Sequence, residues 1–193
     1  MLLAAGAFAV LVARFAGTGP DDVSQVDRAF MRPRFHGRSV LEALTWIGAP
    51  ETVVAVAVLA AAVAFWRGRR RLAAITLIGP GLTGAATTLL KPVIDRTITD
   101  GELAFPSGHT AGAAALGLVA AIALIGVLRP RPVGAVALLA ASVVPAAIAG
   151  TGMVLLGAHY VTDVVGGYAT AVMVVLGSAL VIDAVARWRA SRV

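Results

Sequence analysis

The chain carries three histidines and one lysine, and most of these reactive side chains lie in two short polar connections between apolar runs. One connection reads Lys91-Pro92-Val93-Ile94-Asp95-Arg96, continues from Thr97 to Phe105, and closes on Pro106-Ser107-Gly108-His109. The other reads Gly157-Ala158-His159-Tyr160-Val161-Thr162-Asp163. His159 and Asp163 are spaced i, i+4, so on a helix they share one face. A carboxylate so placed can accept the Nδ1–H of His159 and leave Nε2 free and basic, as the orienting acid does in a nucleophile–base–acid triad. The alternative is a buried pair that only ties helices together. Ionisable groups inside a membrane span are costly and tend to be functional, which favours chemistry.

Pro106-Ser107-Gly108-His109 opens an apolar run directly. Ser107 is a good N-cap, and Gly108 lets a ligand approach the backbone. The first turn of such a helix presents N–H groups without helical partners, a ready phosphate cradle. An ordinary capped helix with a histidine in its first turn is the plainer reading. Lys91 and Arg96 can neutralise phosphate oxygens. Alternatively, Lys91 pairs locally with Asp95 or snorkels to the membrane interface. Pro92 predicts that helical geometry ends at Lys91.

The elements that must hold these groups are apolar. Of 193 residues 59% are hydrophobic and 13% charged, and the mean hydropathy is +0.90. That leaves too little polar surface for a water-soluble domain. Six apolar runs, at about 2–16, 48–66, 72–90, 108–128, 133–156 and 160–186, predict an all-α integral membrane protein, a bundle of six transmembrane helices forming one domain over 1–193. The first run is short but has neither the basic leader nor the cleavage site of a signal peptide, so it is predicted as a helix. Pro80 and Pro145 fall inside predicted helices, where a membrane bundle tolerates them.

The formal charge of +6 does not point to nucleic acid, because no basic face carries base-stacking aromatics. The arginines gather instead at the ends of apolar runs: Arg67, Arg69, Arg70 and Arg71; Arg129 and Arg131; Arg187, Arg189 and Arg192. Positive clusters there mark cytoplasmic loops of a plasma-membrane protein. Both termini are then cytoplasmic, and the 17–47 segment and the two polar connections face outward. From Arg14 to Glu51 five arginines balance five acids, consistent with an outer segment. Arg28, Arg32, Arg34, His36 and Arg38 beside Phe30, Met31 and Phe35 read equally as an interfacial amphipathic stretch or a solvated connection. With no cysteine, disulfides and thiolate metal sites are excluded.

Together these motifs resemble the type 2 phosphatidic acid phosphatase superfamily, whose three ordered motifs are a lysine followed by Arg-Pro, then Pro-Ser-Gly-His, then Ser-Arg followed by a histidine and an aspartate. The second is complete at Pro106, Ser107, Gly108 and His109. The third keeps His159 and Asp163, with Leu156-Gly157 before them and Gly166-Gly167 after. Two positions depart from the pattern. The first-motif arginine falls on Ile98, leaving Arg96 as the expected substitute; the Ser-Arg pair falls on Gly152-Met153, and no Arg or Lys occurs from 133 to 186. Arg32, Arg34 or Arg38 can be imagined reaching over the site instead.

The resemblance implies cofactor-free, metal-independent hydrolysis of a lipid phosphate or diphosphate. His159 attacks phosphorus, Asp163 holds its tautomer, and His109 protonates the leaving oxygen. Lys91, Arg96, Ser107 and the Gly108 N–H bind phosphoryl oxygens, and water releases phosphate from the phosphohistidine. A polyprenyl carrier lipid of the cell envelope is favoured on family grounds, with phosphatidate and phosphatidylglycerol phosphate also fitting. Two other readings stay open: a hydrolase using His109, His159 and Asp163 as metal ligands, and a non-catalytic lipid-phosphate binder or carrier. Oligomeric state is not legible.

Overall fold

A computed structural model describes residues 1–30, 37–125 and 132–192. Among the described residues eight α-helices follow one another: α1 Leu2–Phe15, α2 Gln25–Phe30, α3 Arg38–Thr45, α4 Pro50–Trp66, α5 Arg70–Ile94, α6 Gly108–Ile125, α7 Pro132–Leu155 and α8 Val161–Ala190. The fold is all-α; among the described residues an isolated bridge between Thr97 and Leu103 stands in for any sheet. Each predicted apolar run falls on a helix, α1 or one of α4 to α8. By length and composition α5, α6 and α8 can cross a membrane, and α3 with α4, bent by 41°, can be counted as a fourth crossing. Leu2–Phe15 and Leu139–Leu155 are apolar but shorter.

Small side chains let these helices approach one another. The core holds Ala114, Ala115 and Leu118 of α6, Ala146 of α7, Ala171, Val175 and Ala179 of α8, and Ile75 of α5. Lipid tails are as apolar as leucine, so close van der Waals packing replaces water exclusion as the drive for association. Bulky apolar residues such as Leu59, Phe65, Leu82 and Leu139 are instead exposed on the outside of the bundle, where a membrane is their solvent.

The polar connections are stitched together at one end. Gly17 N–H donates to the Ile94 carbonyl at 2.7 Å, Thr97 N–H to Thr18 at 3.1 Å, and Ser107 N–H to Asp163 at 3.0 Å. The 17–47 segment, weighed as a solvated connection or an interfacial stretch, contains α2 and α3, and both pack on the bundle. At the far end Arg71 NH2 meets Asp183 at 2.7 Å, joining the start of α5 to the last turns of α8. Residues 31–36, with Arg32, Arg34 and His36, and the Arg129–Arg131 cluster lie outside the described residues.

One expected boundary moves. The helix of α5 does not end at Lys91 but runs through Pro92 to Ile94, where Asp95 closes it with φ 53° and donates its N–H to Lys91. Proline removes its own N–H and so the bond to the Thr88 carbonyl, a loss that helices of a membrane bundle tolerate.

Two glycines set how closely the site elements meet. A Cβ at Gly48 would overlap the His109 carbonyl, and one at Gly167 would overlap the Ser107 carbonyl. Neither neighbour is a flexible side chain, so the backbone would have to yield. Gly167→Ala is therefore expected to lower stability by about 1–3 kcal/mol, the scale of overpacking. A thermal melt in detergent checks this, and an unchanged melting temperature would mean the α8–α6 contact is looser than the geometry indicates.

Candidate active site

α5, α6 and the α7–α8 connection bring the polar residues to one cavity of about 600 Å³. Its polar end is formed by Lys91 and Thr87 of α5, Gly108 and His109 at the start of α6, and His159. Below them it continues between α4 and α5, past Val53, Val54, Pro80, Gly81 and Gly84. A single space thus joins a cationic, histidine-lined end to an apolar groove. Among the described residues that line it, Lys91 is the one lysine or arginine.

Ser107 and Gly108 begin α6 as expected, but with separate tasks. Gly108 lines the cavity. Ser107 is fully buried; its Oγ accepts from Thr110 Oγ1 at 3.1 Å and lies 3.5 Å from Thr110 N. It caps the helix from behind, which accounts for serine at this place without a phosphate contact.

His159 is nearly buried, and its Nδ1 lies 3.6 Å from Asp163 Oδ2. His159 precedes α8, so the two do not share a helical face as expected; they are brought into proximity, at a distance too long for a hydrogen bond, and Nδ1 makes none. Sites without substrate often show such loose contacts, which tighten when the reacting group arrives. Asp163 is held by other partners. Its Oδ2 accepts the Tyr160 N–H at 2.8 Å, within the first turn of α8, and its Oδ1 accepts from Arg96. Burial raises the pKa of the Tyr160 phenol, with Arg96 pulling the other way.

Arg96 occupies a different place from the phosphate contact expected of it. Only 1% exposed, it is absent from the cavity lining. NH1 donates to Asp163 and, at 2.6 Å, to Thr162 Oγ1; NH2 donates to Asp27 at 2.9 Å. The guanidinium lies over the rings of Phe15 and Tyr160, 4.0 and 4.6 Å from their centroids. Two carboxylates, the Thr162 hydroxyl and two aromatic faces engage it, apart from the cavity.

The departures from the family pattern are filled by apolar packing. Ile98, at the first-motif arginine position, clusters with Ala104 and Tyr160. Gly152 lies against Leu41 and Thr45 of α3, and Met153 is buried. Arg38 is paired with Glu42 at 2.9 Å and largely exposed, away from the cavity lining. Among the described residues no three His, Asp or Glu side chains are grouped to hold a metal ion.

Asp27 is the residue that motif reading passes over. It is buried on α2, and its only sequence signal is the Ser24-x-x-Asp27 spacing of a helix start. Ser24 Oγ does accept the Asp27 N–H at 3.0 Å.

This geometry describes a membrane-embedded helical bundle with a histidine-lined cavity beside its polar end. The family model of the PAP2 superfamily matches residues 90–187, and the chain belongs to that superfamily. No curated protein matches the chain significantly in sequence. Among solved structures it resembles a transmembrane PAP2-type phosphatidylglycerolphosphate phosphatase from Bacillus subtilis, at 22% identity and TM-score 0.70 over 92% of each chain. At that identity the likeness speaks for the fold: a multi-pass membrane protein.

Removing the buried guanidinium leaves Asp27 and Asp163 facing each other uncompensated. Arg96→Ala should thus cost about 3–5 kcal/mol, as for a broken buried ion pair. A cation that reached out to phosphate could be removed with little loss of fold. Thermal melting of the purified variant separates the two, and a wild-type melting temperature would contradict the buried-clamp geometry.

Proposed function

We propose that the chain is a metal-independent membrane phosphatase acting on a lipid phosphate or diphosphate, with a polyprenyl carrier lipid favoured, through a phosphohistidine at His159. The observation that carries this reading is the placement of His109, His159 and Lys91 around one cavity that continues into an apolar groove. A lipid phosphate has the matching shape: anionic head, long apolar tail. The whole chain acts as a single unit of six spans, with the shorter α1 as the first. Membership of the PAP2 superfamily supports hydrolysis of phosphate esters.

In the reaction, the His159 ring nitrogen facing the cavity attacks phosphorus. A P–N bond forms as the P–O bond to the lipid breaks, and His109 delivers a proton to the departing oxygen. Asp163 compensates the positive charge that grows on the His159 ring. His109 then takes a proton from water, whose oxygen bonds to phosphorus as the P–N bond to His159 breaks, releasing inorganic phosphate and the free imidazole. Lys91 and the free N–H groups of the first turn of α6 hold the phosphoryl oxygens. Splitting the displacement through a covalent intermediate divides one hard step into two easier ones.

Purified protein is expected to release phosphate from polyprenyl phosphates or diphosphates in a panel that includes phosphatidate and phosphatidylglycerol phosphate, with EDTA present. His159→Ala should abolish turnover while the protein stays folded, and rapid quenching should trap labelled phosphate on His159. Loss of turnover in chelator would favour a metal hydrolase. Binding of the lipids without hydrolysis would favour a carrier.

The arginine clusters support cytoplasmic termini and a cavity that opens outward. Thr99 is exposed in the α5–α6 connection. Thr99→Cys in this cysteine-free chain should react with an impermeant thiol reagent in intact cells; labelling only after lysis would invert the orientation.

A further inference from the structure

The Asp27–Arg96–Asp163 cluster joins the outer segment to the residue pair at the centre of the proposed reaction. Asp27 comes from α2, Arg96 from the α5–α6 connection, and Asp163 from the first turn of α8. Their side chains are all at most 1% exposed. Arg96 bridges the two carboxylates, with NH2 on Asp27 at 2.9 Å and NH1 on Asp163. Asp27 also reaches α8 itself, accepting from Thr162 N–H at 3.0 Å and from Thr162 Oγ1 at 2.8 Å. Ser24 Oγ donates to Asp27 from behind at 2.8 Å.

We infer that Asp27 is a positioning residue for catalysis, setting through Arg96 and Thr162 the placement and effective charge of Asp163 beside His159. The inference rests on the proposed role of His159 as nucleophile.

Charge arithmetic gives the reason. Two carboxylates and one guanidinium leave one net negative charge, buried at the positive end of α8, where unpaired N–H groups and the helix dipole favour it. Were Arg96 paired with Asp163 alone, its charge would cancel the field that the carboxylate projects onto His159. Asp27 shares the guanidinium and so leaves Asp163 with negative charge for the imidazolium that develops during attack. Thr162 adds geometry: its N–H and hydroxyl bind Asp27 one residue before Asp163, so a shift of α2 moves the carboxylate that faces His159.

None of the three groups lines the cavity. Their influence should therefore fall on the chemical step and not on lipid binding. Asp27→Asn keeps the shape and removes the charge. It should lower kcat per folded molecule on the order of 10-fold with KM within about twofold, well short of the ~10⁴-fold loss when the orienting acid of a triad is itself altered. Asp27→Glu should recover part of that loss. Thr162→Val keeps the α8 amide and all charges but deletes the hydroxyl bonds, and should lower kcat less, with KM again unchanged.

The assay uses full-length protein in detergent with the lipid phosphate that wild type turns over best. Folded protein is counted by size exclusion and thermal melting. A folded Asp27→Asn with wild-type kcat overturns the inference, as does one in which KM rises and kcat holds. If Asp27→Asn does not fold, Thr162→Val decides: wild-type kcat in that folded variant overturns it equally. Absence of turnover in wild type would instead remove the phosphatase reading on which the inference stands.

Discussion

The arrangement depends on a guanidinium buried between two carboxylates. Taking three charges out of water costs several kcal/mol per ion, and mutual attraction offsets this only when the geometry is close and the remaining hydrogen-bonding capacity is filled. At Arg96 the contacts are close and several. Its terminal nitrogens reach Asp27, Asp163 and Thr162, and its faces are covered by Phe15 and Tyr160. A cluster so demanding tolerates few alternative packings. It fixes the end of α1, the whole of α2, the α5–α6 connection and the start of α8 relative to one another, and His159 lies immediately before that start.

Around this point, the remaining site elements are held by backbone contact. The Ser107 amide donates to the Asp163 carbonyl, and Gly167 lets the Ser107 carbonyl lie directly on α8. Gly48 does the same for the His109 carbonyl from the other side. Backbone-to-backbone approach leaves little room for rearrangement where the start of α6 meets α8 and Gly48. Lys91 arrives separately, on the last turns of α5, which Pro92 does not interrupt.

What was legible in the sequence follows from local rules. Apolar runs mark the long helices because their period and length are local properties. Pro106-Ser107-Gly108-His109 marks the start of α6 because capping is local; His159 precedes α8, so the turn at Tyr160 and not a shared helical face brings it near Asp163. Arg96 was legible as functional but not in its role, because that role is decided by partners far along the chain. Asp27 lies 69 residues from Arg96 and 135 from Thr162. No periodicity encodes such pairings, and a buried aspartate in a segment rich in charges looks like any surface acid. The helical boundary at Lys91 was misread for a related reason: proline's bias on its neighbour is a local preference that the packing of a long membrane helix overrides.

The same segment packs beside the third-motif positions, where the arginine is missing. An arginine beside the site needs a corridor to the cavity and groups to receive it when no phosphate is bound. At the third-motif positions Leu41 and Thr45 of α3 lie against Gly152, and Met153, which stands where the pattern has its arginine, is buried. The outer segment thus packs on α7 at the serine position, while Arg96 is withdrawn from the cavity to hold that same segment through Asp27. In the proposed reaction, positive potential for a phosphoryl group comes from Lys91 together with the unpaired N–H groups and dipole of α6. The α6 part of that source is fixed by the backbone and needs no side-chain ordering when substrate arrives, the kind of preorganised donor array that stabilises charge in a transition state.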